Sequence, residues 1–323
     1  MVERTTEAAL AAATLREMAR DDSVIVLGRA ASVGTFRVST GAAERFGPER
    51  VWDLPGSGLG LAGVAIGTAL TGLRPIVELG AAEQATPALS QIADQAAKLR
   101  FRSGGRLRLP LVFVIAIGMT RSGPLRSQSL EAWFTHLPGL KVVMPATPAD
   151  AVGLFTSAVR DDDPVIFVLD KRVARHAGEA PDGEHLIPVG QAIVRRGGRD
   201  VTIVASGWMV HEAVAAAEDL AAARVSAEVI DLRSLVPLDL GTIVASVRKT
   251  GRLVVAHEAV AFSGFGAEVV ASVVEAASSA LTAPPRRVGL PFIVPPADVQ
   301  SIALVLPSHR DIATAALAVC QGR

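Results

Sequence analysis

The sequence predicts an α/β protein of two domains, each a mainly parallel sheet flanked by helices. Three observations carry this reading. Short apolar runs such as Val24-Ile-Val-Leu27 lack polar alternation, as strands buried on both faces do. Helical periods separate most of these runs, which is the rhythm of a parallel sheet with crossover helices. One polar, Gly- and Pro-containing stretch interrupts the rhythm, and a second alternating series follows it.

In chain order, residues 5–20 repeat apolar side chains at helical spacing. Asp22-Ser23 then lead into the strand at Val24–Leu27, which ends at Gly28. Further strands are expected at Pro75–Leu79, Leu109–Ile117, Leu140–Met144 and Val165–Leu169, with helices over 83–102 and 148–160. Pro148 and Asp150 suit the first turn of the second helix. Residues 1–170 form the first expected domain, 171–187 a linker, and 188–323 the second domain. Within the second domain, strands at 200–205, 227–232 and 253–257 alternate with helices over 210–224, 238–249 and 264–281. A helix over 307–321 closes the chain.

Composition narrows the function classes. The 323 residues suffice for two substantial cores, half of them are hydrophobic, only 4% are aromatic, and there is no Tyr. Basic and acidic residues balance at 32 each, which gives no general attraction to nucleic acid or an anionic membrane. No uninterrupted apolar run has transmembrane length, and the N-terminus lacks a signal pattern. The lone Cys320 has no internal disulfide partner, in keeping with a cytoplasmic location, and reads as a packing residue.

A series of phrases carries more specific information. Phe46-Gly-Pro-Glu-Arg-Val51 precedes Asp53-Leu-Pro-Gly-Ser57 and Gly72-Leu-Arg-Pro-Ile-Val-Glu78. Ala96-Ala-Lys-Leu-Arg-Phe-Arg-Ser-Gly-Gly105, Ser127-Gln-Ser129, His136-Leu-Pro-Gly-Leu-Lys-Val-Val143 and Ala158-Val-Arg-Asp-Asp-Asp-Pro164 follow. Asp231-Leu-Arg-Ser-Leu-Val-Pro-Leu-Asp239 and Lys249-Thr-Gly-Arg-Leu-Val-Val-Ala-His-Glu258 complete the order. Together they resemble the β subunit of thiamin-diphosphate-dependent 2-oxo acid dehydrogenases, pyruvate and branched-chain type, over about residues 5–320. The resemblance implies a transketolase-like pyrimidine-binding domain followed by a transketolase C-terminal domain. It also implies thiamin diphosphate and Mg at an interface with an α-like subunit, in a heterotetramer; a homodimer is the other assembly, and no cofactor at all the alternative for an inactive chain. The chain has no Gly-Asp-Gly with a downstream Asn, the pattern of the diphosphate and magnesium site.

The resemblance also exposes a divergent active site. Family members carry a glutamate after Asp-Thr-Pro-Ile-Ser, where it bonds a pyrimidine nitrogen and promotes ylid formation, while the cofactor carries the difficult chemistry. Here Ser57 is followed by Gly58, which has no side chain. Arg29 stands at the family's acidic position after Leu-Gly, Gln84 near its stacking aromatic, and Arg126 at the histidine before Ser-Gln. An arginine does not serve as a neutral base near pH 7. Glu83 is the nearest acidic substitute, with a helix-opening carboxylate as the plainer reading. Arg29, Arg121 and Arg126 suit a small anionic substrate, carboxylate or phosphate, or else ion pairs with a partner.

Ala158, Asp161 and Asp163 match a loop that holds structural potassium in some relatives, with a capped turn as the alternative. His136 reads as loop support and His257-Glu258 as packing at a strand end, while His176 and His185 read as surface groups. Gly58-Leu-Gly-Leu-Ala-Gly63 has dinucleotide-loop spacing, but it falls inside the thiamin-family phrase, so a nicotinamide role is rejected. The chain is thus expected to be a β-like subunit that makes or breaks a carbon–carbon bond. The alternatives are a non-catalytic pseudo-subunit or a thiamin-independent enzyme acting in the remodelled cleft.

Overall fold

The computed structural model describes residues 1–31 and 37–322. The chain divides into two compact units, Met1–Ile117 with Trp133–Val189, and Gly118–Ala132 with Gly190–Arg323.

The first unit begins with β1 (Val2–Thr5), α1 (Thr6–Arg20), β2 (Val24–Gly28), α2 (Ala42–Phe46), β3 (Val51–Asp53), α3 (Gly58–Leu70) and β4 (Arg74–Ala81). It continues through α4 (Ala82–Ser90), α5 (Leu99–Arg102), β5 (Val112–Ile117), α6 (Glu131–Thr135, which begins at the unit boundary), β6 (Lys141–Val143), α7 (Pro148–Arg160), β7 (Val165–Asp170), α8 (Lys171–Arg175) and β8 (Ala177–Ala180). Six of its strands lie in the order β6-β7-β5-β4-β2-β3, every pairing parallel. Parallel strands present all their C-terminal ends along one edge, where open α/β sheets gather their ligand-binding loops. β2, β5 and β7 are buried along their whole length, as their unbroken apolar runs require. The core beneath α1 and α7 includes Leu10, Met18, Val26, Phe155 and Phe167.

Caps explain several helix starts. Thr5 accepts a hydrogen bond from the Ala8 amide, and Thr147 accepts one from the Asp150 amide, with Pro148 in the first turn of α7. The single helix expected over 83–102 is instead α4, a wide π-turn over Gln91–Ala96, and α5. Pro87 lies inside α4, where its ring removes a donor and crowds the preceding turn. Residues 171–187, expected as a linker, carry α8 and β8, and β8 pairs antiparallel with β1.

The second unit contains β9 (Ile193–Arg196), β10 (Val201–Ala205), α9 (Met209–Ala222), β11 (Ala227–Asp231), β12 (Ser234–Val236), α10 (Leu240–Thr250) and β13 (Leu253–Val260). It ends with α11 (Phe265–Ala277), β14 (Arg286–Leu290), α12 (Val299–Val305) and α13 (His309–Cys320). Its five-stranded sheet runs β14-β13-β10-β11-β9, parallel except for β9. The stretch Val299–Cys320 is apolar and long enough for a membrane span by composition. It is nevertheless two helices, because Ser308 and Asp311 form a capping box that starts α13 afresh.

Candidate functional site

Three of the segments singled out in the sequence meet at the C-terminal edge of the first unit's sheet. β2 pairs with both β3 and β4, so the residues that follow these strands become neighbours. Arg29 follows β2, Ser57 and Gly58 follow β3, and Glu83 and Gln84 follow β4. Arg29 lies over Gly56: a β-carbon at residue 56 would stand 3.1 Å from Arg29 Cδ and 3.4 Å from its Nε. Ser57 caps α3, its hydroxyl accepting from the Gly60 amide at 3.2 Å.

Gly58 is the first residue of α3. A β-carbon built there would stand 2.0 Å from the backbone carbonyl oxygen of Gln84 and 3.0 Å from its carbonyl carbon. Such separations do not occur between real atoms, and the obstructing group is main chain. Position 58 therefore does not accommodate a carboxylate side chain in this arrangement. Residue 58 itself does not fit the acid–base role that the sequence resemblance assigns to the position. Glu83 lies in the first turn of α4 and is partly buried, its carboxylate near the positive end of a short helix.

A second carboxylate, absent from the sequence-derived candidates, lies close by. Glu78, in β4, is 3% exposed, opposes Gly28 in the strand register, and accepts a hydrogen bond from the Ser39 amide at 3.0 Å. Ser39 in turn donates its hydroxyl to the Ala31 carbonyl at 3.0 Å, so Glu78 pins the chain that returns after β2. The available signal was an acidic residue inside an apolar strand run, which burial makes costly without such a donor.

Arg126 and Arg121 belong to the second unit, on the exposed surface of the segment Gly118–Ala132. This segment folds on itself. The Ser127 hydroxyl donates to the Thr120 carbonyl at 2.7 Å and accepts from the Thr120 amide at 3.3 Å, while the Ser127 amide donates to the Gly123 carbonyl at 3.1 Å. Glu258, 2% exposed in β13, accepts from the Met119 amide and fastens the start of the segment. His257 beside it is buried. Loss of solvation holds its imidazole down to about 4, the nearby Arg287 charge acting in the same direction and the Ala259 backbone opposing it. Gly264, Gly266 and Gly289 surround the ring; β-carbons there would approach it to 2.6, 2.5 and 3.0 Å.

The loop matched to a potassium site lies before β7, at the opposite, N-terminal edge of the first sheet. The Asp161 carboxylate receives Lys141 Nζ at 2.7 and 2.6 Å, and Asp163 is bonded by Arg100. The carbonyl of Ala158 accepts from the Asp161 amide, and that of Asp161 accepts from Arg74 at 3.0 Å. Protein donors thus already meet these oxygens. Among the described residues, no three His, Cys, Asp or Glu side chains group as a metal set.

Comparison with known proteins supplies the family. Residues 3–176 match the transketolase pyrimidine-binding domain and residues 190–312 the transketolase C-terminal domain. The chain is 40% identical over 316 residues to the pyruvate dehydrogenase E1 component subunit beta of Bacillus subtilis, covering 97% of each chain. It is 42% identical over 289 residues to the 2-oxoisovalerate dehydrogenase subunit beta of Pseudomonas aeruginosa, covering 83% of this chain and 82% of that one. Among solved structures, a split-gene transketolase described as an inactive beta4 tetramer superposes with a TM-score of 0.82 at 25% identity, covering 98% of both chains. By domain content and by similarity along nearly its whole length, the chain belongs to the transketolase-type family that includes the E1 β subunits of 2-oxo acid dehydrogenases.

Proposed function

We propose that this chain is the β-type subunit of a 2-oxo acid dehydrogenase or transketolase-type assembly that makes or breaks a carbon–carbon bond. The observation that carries the reading is 40% identity to a named E1 β subunit over 97% of both chains. The family implies thiamin diphosphate as cofactor. Magnesium and the diphosphate site are assigned to an α-type partner, with which this chain forms a heterotetramer in the cytoplasm. When bound, thiamin diphosphate supplies the carbanion chemistry. No step is assigned to residue 58, since its position offers neither a carboxylate nor space for one.

What this chain contributes to a substrate is positive charge. Arg126, on a segment closed by Ser127 and fastened by Glu258, offers a planar donor fork suited to a carboxylate or phosphate. The preferred substrate class is accordingly a small 2-oxo acid or a phosphorylated ketose. Ala158, Asp161 and Asp163 act as a turn between α7 and β7, held by ion pairs from Lys141 and Arg100.

Co-expression with an α-type chain tests the reading. Size-exclusion chromatography with light scattering should give a complex of two α and two β chains. The complex should release carbon dioxide from 2-oxo acids or transfer a ketol unit. An α-type chain that elutes separately and is equally active alone would remove the proposal. A second reading, a pseudo-subunit that supports its partner without sharing in the chemistry, is favoured by the closure at Gly58.

A further inference from the structure

We infer that the main chain of α4 has closed the slot at position 58, so that the change from an acidic side chain to Gly58 is locked in by the Gln84 carbonyl and is not reversible at residue 58 alone. The inference rests on the family reading above and specifies what has happened at its pyrimidine-facing edge.

Gly58 lies within α3, outside the left-handed region, so its backbone is open to any L-residue. The need for glycine is therefore spatial. Four glycines of α3 allow the comparison to be made within one helix. A β-carbon on Gly67 would meet nothing within 4 Å, one on Gly63 would reach only the end of the Gln91 side chain at 3.9 Å, and one on Gly60 would touch Ser57 Oγ at 3.5 Å. Only at Gly58 does the obstruction come from another helix's main chain, at 2.0 Å. The surrounding contact is built for close approach: Ala62, Ala65 and Ala69 of α3 are buried, as are Ala82, Ala85 and Ala88 of α4. Where the aminopyrimidine of a bound thiamin diphosphate would seek an acid, position 58 faces the carbonyl oxygen of Gln84, which accepts hydrogen bonds but carries no proton to exchange. The acid–base function at that ring, in any assembly containing this chain, must come from another group.

The test uses the full chain and the variants Gly58→Ala, Gly58→Glu and Gly67→Ala, read by thermal unfolding with and without thiamin diphosphate and magnesium. Gly67→Ala should leave the midpoint unchanged or raise it by about 2–4 °C, since alanine is the better helix former. Gly58→Ala should lower it by about 2–8 °C through overpacking, and Gly58→Glu by more or to the point of misfolding. Misfolding of Gly58→Glu alongside a folded, destabilised Gly58→Ala supports the closure. Wild-type midpoints for both Gly58 variants overturn it. So does a Gly58→Glu protein that gains a stabilising shift with thiamin diphosphate which the wild type lacks. Failure to associate with an α-type chain, by contrast, would remove the family-role reading and leave these midpoints unaffected.

Discussion

The buried imidazole of His257 offers a quantitative test through pH. In the unfolded chain it is an ordinary histidine, whereas in the fold its value is held to about 4 by loss of solvation and the nearby Arg287 charge. Between those two values the unfolded state binds more protons, so stability falls as pH falls and is fully restored above about pH 7. The expected loss between pH 7.5 and pH 5.5 is about 1 kcal/mol, growing to about 3 kcal/mol below pH 4. Urea unfolding at the two pH values measures it, with His257→Asn supplying the background from all other titrating groups. The wild type should lose about 1 kcal/mol more than the variant over that interval, with similar urea slopes. Equal losses in the two proteins would refute the reasoning, because they would mean that the folded ring titrates as it does in water.

Four further outcomes follow from contacts elsewhere. Gly266→Ala places a methyl 2.5 Å from the His257 ring and should cost about 1–3 kcal/mol in chemical unfolding. Burial alone would raise the Glu17 carboxyl, but the hydrogen bonds from Arg160 and Arg20 prevail and leave it below the usual range. Its contribution is thus complete at neutral pH and lost as pH falls through the carboxylate range, and Glu17→Gln should destabilise by about 2–3 kcal/mol at pH 7, but less near pH 3. Glu258→Gln should loosen the segment it fastens, seen as about tenfold faster tryptic cleavage after Arg121 or Arg126 at an opening cost near 1.4 kcal/mol. Exchanging potassium for sodium should leave the thermal midpoint unchanged, since Lys141, Arg100 and Arg74 already serve the Ala158–Asp163 turn; a potassium-specific rise of several degrees would show that the carbonyls still cradle the ion.

The order of strands and helices was legible because periodicity records burial directly. Val24–Leu27, Val165–Leu169 and Leu253–His257 all lie in strands, and the helix at 148–160 begins and ends where its cap and proline place it. Less was legible where tertiary context decides. β3 and β12 have three residues each, too few for a period to emerge, and the π-turn at Gln91–Ala96 divides a helix whose apolar spacing continues through it. At the candidate site, the order of motifs identified Arg29, Gly58 and Gln84, and parallel strand pairing brings their segments to one edge. That residue 58 is a glycine could be read from the alphabet alone. The carbonyl of Gln84 that crowds it could not, since a main-chain group leaves no mark on composition. Glu78 was hidden for a related reason: an acid in a buried strand is explained by tertiary partners such as the Ser39 amide, which is 39 residues away along the chain.

The attachment of Met119 to Glu258 bears on how the molecule can be divided. A fragment starting at residue 188 would retain β13 but omit the Met119 amide from which its Glu258 carboxylate accepts. A buried hydrogen bond beside His257 would be lost with it. Separate production of the C-terminal half therefore calls for grafting residues 118–132 back through a short tether, rather than for a cut at the point where sequence similarity to one domain gives way to the next.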